Sequence, residues 1–334
     1  MSQISVNDIT SLDGKSGPVI SGITTVSSTG YMMIPAGPTE YRGGRGRGIF
    51  AGGRGPSPLY YNIIDYITIS TTGNALDFGD LLSTTAYSSG CASSTRGIYG
   101  GGFTPNINVI QYLTVSSTGN TFDFGDLTFP RGGLTSCSNS IRGIFGGGNP
   151  GVKTIDYITI SSLGNASYFG DLVFSTIRIG SVSSTTRGIF AGGYVTPTAV
   201  NVIQYVTFST TGNTEDFGDL TANRSELSGC SNSTRGIFGG GRQFSPADSP
   251  VSSIDYIETS SLGGSISFGD LITARAYPGA VSTPQRAVWA GGNTLNVIEY
   301  VTISTLSNAL DFGDLSVARG FVAGLSDSHG GLGD

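Results

Sequence analysis

Lysine is almost missing from this chain. Of 17 basic residues only Lys15 and Lys153 are lysines, and charged residues of both signs make up 12% of the 334 residues. That is about half the usual share. With a net charge of −6 there is no basic face for a phosphate backbone, which argues against nucleic-acid binding. Histidine occurs once, as His329. One imidazole leaves little room for histidine metal sites or histidine-based catalysis, so no cofactor is expected. Cys91, Cys137 and Cys230 are too few, and odd in number, for a disulfide framework. No apolar run approaches the roughly 18 residues that would cross a membrane, so no membrane insertion is expected. The opening MSQISVNDIT has neither the basic nor the apolar part of a secretory signal.

What the chain has in excess is glycine, 53 residues, too frequent for a mainly helical protein because each interior glycine costs a helix about 1 kcal/mol against alanine. The glycines recur with a pattern. Segments of the form Arg-Gly-Ile-Phe begin at Arg47, Arg96, Arg142, Arg187, Arg235 and Arg286. Each runs into a glycine pair or triplet. A Tyr in a β-branched run follows at 66, 112, 157, 205, 256 and 300, then a Phe-Gly-Asp-Leu element with its acid at Asp80, Asp126, Asp171, Asp219, Asp270 and Asp314. The Tyr-to-Asp offset is 14 in all six copies, and the Asp-to-next-Arg offset is 16 in all five internal cases. Only the Arg-to-Tyr offset varies, from 14 to 21. Every insertion therefore falls in one segment, after the glycines.

Each unit reads as four short strands, for example Ser228 to Ser233, the Arg-Gly-Ile-Phe stretch, Val202 to Phe208 and Asn213 to Leu220. A constant turn such as Thr72-Gly73-Asn74 joins the last two, with residues that tolerate the positive φ of tight turns. Six units of four strands describe an all-β, six-bladed propeller with antiparallel blades, spanning 45–334; a β-solenoid is the alternative. The seventh Arg would fall at position 330, which is Gly. The C-terminus then supplies only the first strand of a unit, around Phe321 to Ser328, and the copy at Arg47 lacks that same strand. The two halves are expected to complete one blade and close the ring, leaving no free edge.

The glycine doublet after an apolar strand, then Tyr, an aromatic and an Ala-Arg loop (Gly291-Gly292, Tyr300, Phe312 and Ala318-Arg319) resembles the kelch family over about 45 to 334. It departs from that family in using Phe-Gly-Asp where Trp is usual; the single Trp is Trp289. The resemblance implies a kelch-like propeller and little about activity, since such folds host adaptors, oxidases and lectin-like modules alike. Residues repeated six times suit structure better than a single site. The Arg and Asp columns are candidates for partly buried ion pairs, and the Phe and Tyr columns for filling the space between blades. The cysteine column holds Val182, Val281 and Leu325 in other copies and reads as a small core position. Asp77-Phe78-Gly79 imitates a kinase motif but recurs with the repeat, and the GGRGRG run from Gly43 has no βαβ unit around it. His329 is expected in the closing strand or a frayed tail.

In a four-stranded blade the variable connection and the link to the next blade emerge on one face. The variable loops carry Arg54, Tyr60, Tyr61, Phe103, Tyr194, Arg242 and Phe244, exposed aromatics and arginines suited to recognising a sugar or protein surface. Residues 1–44 lie outside the repeat and are expected to form an N-terminal arm that anchors the propeller. The Lys-poor, GDLT- and TTGN-rich repeat also resembles structural proteins of tailed phages, particularly those of marine cyanobacteria. That resemblance implies a non-enzymatic tail-fibre, baseplate or capsid-surface component. Its arm would bind other virion proteins and its propeller would meet a host-surface glycan or protein, with localisation on the virion. The alternative is an intracellular kelch-type adaptor for protein interactions.

Overall fold

The alternation of small, β-branched and aromatic residues in each unit folds into a four-stranded antiparallel sheet, and six such sheets stand side by side around an axis. The computed structural model describes residues 46–56, 59–103, 105–245 and 247–333; the expected arm, 1–44, lies outside the described residues. In one blade the strands run, from the axis outward, Ser89–Ala92, Arg96–Gly102, Ile107–Thr114 and Phe122–Asp126. Inner strands of successive blades contact one another around the whole ring. The blade that begins at Arg47–Ala51 receives its inner strand, Ala323–Ser326, from the C-terminus, with Gly48 opposite Ser326 and Ala51 opposite Ala323. The ring closes as the sequence predicts.

Apolar residues of neighbouring blades merge. Ile49, Ile64 and Phe78 of one blade share a core with Tyr99, Leu113 and Val115 of the next. In all six blades the pairing of the two outer strands shifts by one residue, as between Ile64 and Asp65. This bulge makes Phe78 the extra residue of its strand, and its ring is buried, packed edge-on at 5.9 Å from Tyr66. The Phe and Tyr columns do fill the space between blades. The cysteine column is buried too, with free thiols.

The Arg and Asp columns do not pair with each other. Within a blade they lie at opposite ends of the third strand: Arg47 stands opposite Thr68, and Asp80 opposite Ile63. Five residues of strand at about 3.4 Å each separate them. Each serves as a clasp to the next blade instead. Arg47, Arg96, Arg142, Arg187, Arg235 and Arg286 each donate to a carbonyl of the neighbouring blade, from Val115 round to Ile69. Each guanidinium also lies over its own blade's Tyr ring, 4.6 to 4.9 Å from the centroid. At the other end, the Phe-Gly-Asp backbone meets the neighbour's Gly-Asn turn. Gly119 N–H donates to Phe78 O, and the Asn120 side-chain oxygen accepts from the Asp80 N–H. A Cβ on Gly79 would lie 2.4 Å from the Gly119 carbonyl oxygen. These clasps explain the two invariant spacings, because both segments must reach a neighbour of fixed geometry.

The buried ion pairs belong to another column, five residues after the Asp. Arg131, Arg224, Arg275 and Arg319 pair with Asp156, Asp255, Glu299 and Asp65 on the third strand of the next blade. All eight side chains are almost wholly buried, and burial pushes each guanidinium below its ordinary value. At the two remaining junctions the Arg position holds Thr85 and Thr176, and the acid position holds Gln111 and Gln204. Both charges are exchanged together, as expected where a lone buried charge would cost several kcal/mol.

Candidate functional site

Two residues beyond that ion-pair column, where each blade hands over to the next, lie Tyr87, Gly133, Arg178, Glu226, Tyr277 and Phe321. All six have left-handed backbone, with φ between 57° and 67°. The reason is a collar of hydrogen bonds around the axis. Gly133 N–H donates to Tyr87 O, Arg178 to Gly133, Glu226 to Arg178, Tyr277 to Glu226 and Phe321 to Tyr277, at 2.8 to 3.0 Å. Holding a non-glycine residue in this conformation costs about 1–2 kcal/mol, yet five of the six positions carry large side chains.

Those side chains build one asymmetric mouth on a sixfold scaffold. Phe321 stacks between Tyr87 and Tyr277, with centroids 4.1 and 3.9 Å away. On the far side the Arg178 guanidinium pairs with Glu226 Oε1 at 2.7 Å, and the Tyr277 hydroxyl donates to the same oxygen at 2.5 Å. Gly133 leaves a notch, since a Cβ there would meet nothing nearer than 3.9 Å. Beneath the collar lies a cavity of about 120 Å³ walled by hydroxyls and glycines of the inner strands. Glu226 is 3% exposed and lines this cavity, and its Oε2 has no hydrogen-bond partner. Burial raises its carboxyl above the ordinary carboxylate range, against the pull of Tyr277 and Arg178. A buried polar oxygen without a donor costs about 1–3 kcal/mol. Ser88, on the blade opposite Glu226, is also among the residues lining this cavity, and its hydroxyl is buried without a partner.

The opposite end of the channel is occupied by the chain's own C-terminus. His329 is not in the closing strand and is not frayed. It sits part-buried within the channel, its Nε2 2.9 Å from Ala92 O while Nδ1 accepts from the Gly331 N–H at 3.1 Å. The channel wall there includes Ser138, Ser183, Ser231 and Ser282, whose hydroxyls bond to backbone of the adjacent inner strand or to the tail.

The residues singled out on the variable loops fall on the collar's face, and part of the set adjoins it. Phe103 packs edge-on against Tyr87 at 5.9 Å. Tyr194 lies under the Arg178 guanidinium and 5.1 Å from Phe244. Arg242 bridges to Ser225 through the backbone and pairs with Asp248. Arg54 bridges to Gly320 but turns its guanidinium toward Tyr60, and Tyr61 packs onto Gly55 in its own loop. Sequence reasoning missed the collar itself. The signal was present: a position at fixed distance from the Asp, inside a segment of invariant length, whose residue differs in nearly every copy. Among the described residues no group of three or more His, Cys, Asp or Glu side chains could hold a metal ion, and no helix is long and apolar enough to cross a membrane. No protein-family model matches the sequence, and no curated protein is significantly similar to it.

Proposed function

We propose that the protein is a non-enzymatic recognition module that takes its ligand at the collared mouth and the loops beside it, displayed as a tail-fibre, baseplate or capsid-surface component of a virus particle. A propeller suits a binding or interaction role, and one observation carries the placement of the site. The collar repeats its backbone six times and its side chain hardly at all (Tyr, Gly, Arg, Glu, Tyr, Phe). Residues that hold blades together elsewhere are repeated or exchanged in compensating pairs. Those at the mouth are chosen one by one, as a single asymmetric site demands. Display on a particle rests on the likeness of the Lys-poor repeat to tailed-phage structural proteins. The test is to purify assembled particles from the source and search them for this chain by mass spectrometry. Stoichiometric presence is expected. A chain found free in cell extracts and never on particles overturns the display and favours the intracellular adaptor.

A further inference from the structure

The cavity beneath the collar is specific enough to assign a class of ligand. Its ionic demand is already met: Arg178 neutralises Glu226 at 2.7 Å, and no other charged side chain lines it. What is unmet is hydrogen bonding. Glu226 Oε2 lacks a donor, and the Ser88 hydroxyl lacks any partner. They belong to blades on opposite sides of the ring, so a ligand satisfying both must present polar groups on two edges. The flank between them is aromatic, formed by Tyr87, Phe321 and Tyr277, and accepts an apolar face. A hexose ring has both features, hydroxyls around its rim and a C–H face. The volume of about 120 Å³, against about 30 Å³ for each water of the liquid, limits the occupant to a small group. Toward the other end the channel continues as a smaller space of about 60 Å³ whose lining includes His329 of the tail. A channel obstructed in this way suits the end of a chain better than a peptide threading through.

We infer that the mouth binds the terminal, uncharged sugar residue of a glycan, with a sugar hydroxyl donating to Glu226 Oε2, another group of the sugar meeting Ser88 Oγ, and the C–H face against the aromatic flank. This rests on the reading that the collar face is the recognition surface. The experiment uses the full chain on an array of glycans ending in neutral hexoses, in N-acetylhexosamines, in sialic acid and in sulfated sugars. It is run for the wild type, Glu226→Gln and Ser88→Ala, each first checked for an unchanged melting profile. Expected is binding to at least one neutral terminus, weakened at least tenfold by Glu226→Gln and severalfold by Ser88→Ala. Binding confined to sialylated or sulfated glycans and lost in Glu226→Gln overturns the uncharged class and leaves the mouth as the site. Neutral-glycan binding that neither variant alters overturns the mouth and the reading beneath it. No binding to any glycan overturns the sugar assignment, while particle composition still decides the broader role.

Discussion

Two columns of the repeat, only two residues apart, have been treated in opposite ways. Five residues after the Asp, chemistry is preserved: Arg faces an acid at four junctions, and Thr faces Gln at the other two. Seven residues after it, only the backbone is preserved, and the side chains range from Gly133 to Arg178 to Phe321. The first column is buried between blades, where an unmatched change leaves a charge without water or partner. The second faces a cavity, where a change alters what can enter. In this repeat, compensated exchange goes with burial between blades, and uncompensated variety on a fixed backbone goes with the residues that line the candidate site.

The contrast is broken most severely by removing one half of an ion pair. Asp65→Ala strands the Arg319 guanidinium, which is 0% exposed, and removes the acceptor used by the Ser316 N–H and hydroxyl. A loss of about 3–5 kcal/mol is expected, read from chemical denaturation. The pair also joins the strand-completed blade to its neighbour, so ring closure suffers directly. A loss below about 1 kcal/mol would mean that the junction is not held this way.

The neutral junctions allow a sharper test. Gln111 Oε1 accepts from Leu82 N–H and the Thr121 hydroxyl, much as Asp65 accepts from Ser316 N–H and its hydroxyl. The site is already shaped for an acid. Thr85→Arg alone should destabilise by several kcal/mol, as a buried cation without a counter-ion. Adding Gln111→Glu should recover part of this, with a coupling energy of about 1–3 kcal/mol in a double-mutant cycle. Additive effects would show that the paired exchange is coincidence.

At the mouth, stability and pH should respond differently. Glu226→Gln keeps the shape and is expected to stay within about 1 kcal/mol of wild type at neutral pH, because surroundings that leave Oε2 without a donor gain little from its charge. The sign of its pH dependence is fixed. Burial raises the folded carboxyl above its ordinary 4.5, so above that pH the unfolded chain ionises first. Stability is full below 4.5 and is lost as pH rises through the folded value. The variant should therefore gain on wild type as pH rises from 4.5, and a constant difference across that range would contradict the buried, under-bonded carboxylate.

Much of the fold was legible in the sequence because repetition multiplies weak signals. Six copies of a Phe-Gly-Asp element at fixed spacing reveal blade number, strand order and the closing strand near Phe321 to Ser328, since each copy must reach a neighbour at one distance. Side-chain partners were less legible. The Arg47 and Asp80 columns look like natural ion-pair partners by charge, but antiparallel pairing puts them at opposite ends of a strand. The variable loops drew attention because they vary in length, and several of their residues adjoin the collar. The collar was hidden by its constant length: its variation is in side chain alone, and the left-handed φ shared by Tyr87 and Arg178 leaves no mark on the sequence, since Tyr is not a residue expected there.

The smallest expected effect comes from the channel's other end and runs in the opposite direction to that of Glu226. His329 is neutral in its pocket: Nε2–H is positioned to donate to Ala92 O, and Nδ1 accepts from the Gly331 N–H. A second proton would have to sit on Nδ1, facing that N–H, beside the Ser183 hydroxyl. Burial accordingly holds its affinity for a proton below the ordinary 6.5. Below 6.5 the unfolded imidazole takes a proton that the folded one refuses, so this contribution to stability is complete above 6.5 and drains away as pH falls. Replacing His329 with Gln removes the titration at the cost of some packing that does not depend on pH. The wild-type minus variant difference in unfolding free energy should shrink steadily from pH 7 toward 5.5, a comparison in which carboxylates common to both proteins cancel. A flat difference would place His329 in water and the end of the chain outside the channel.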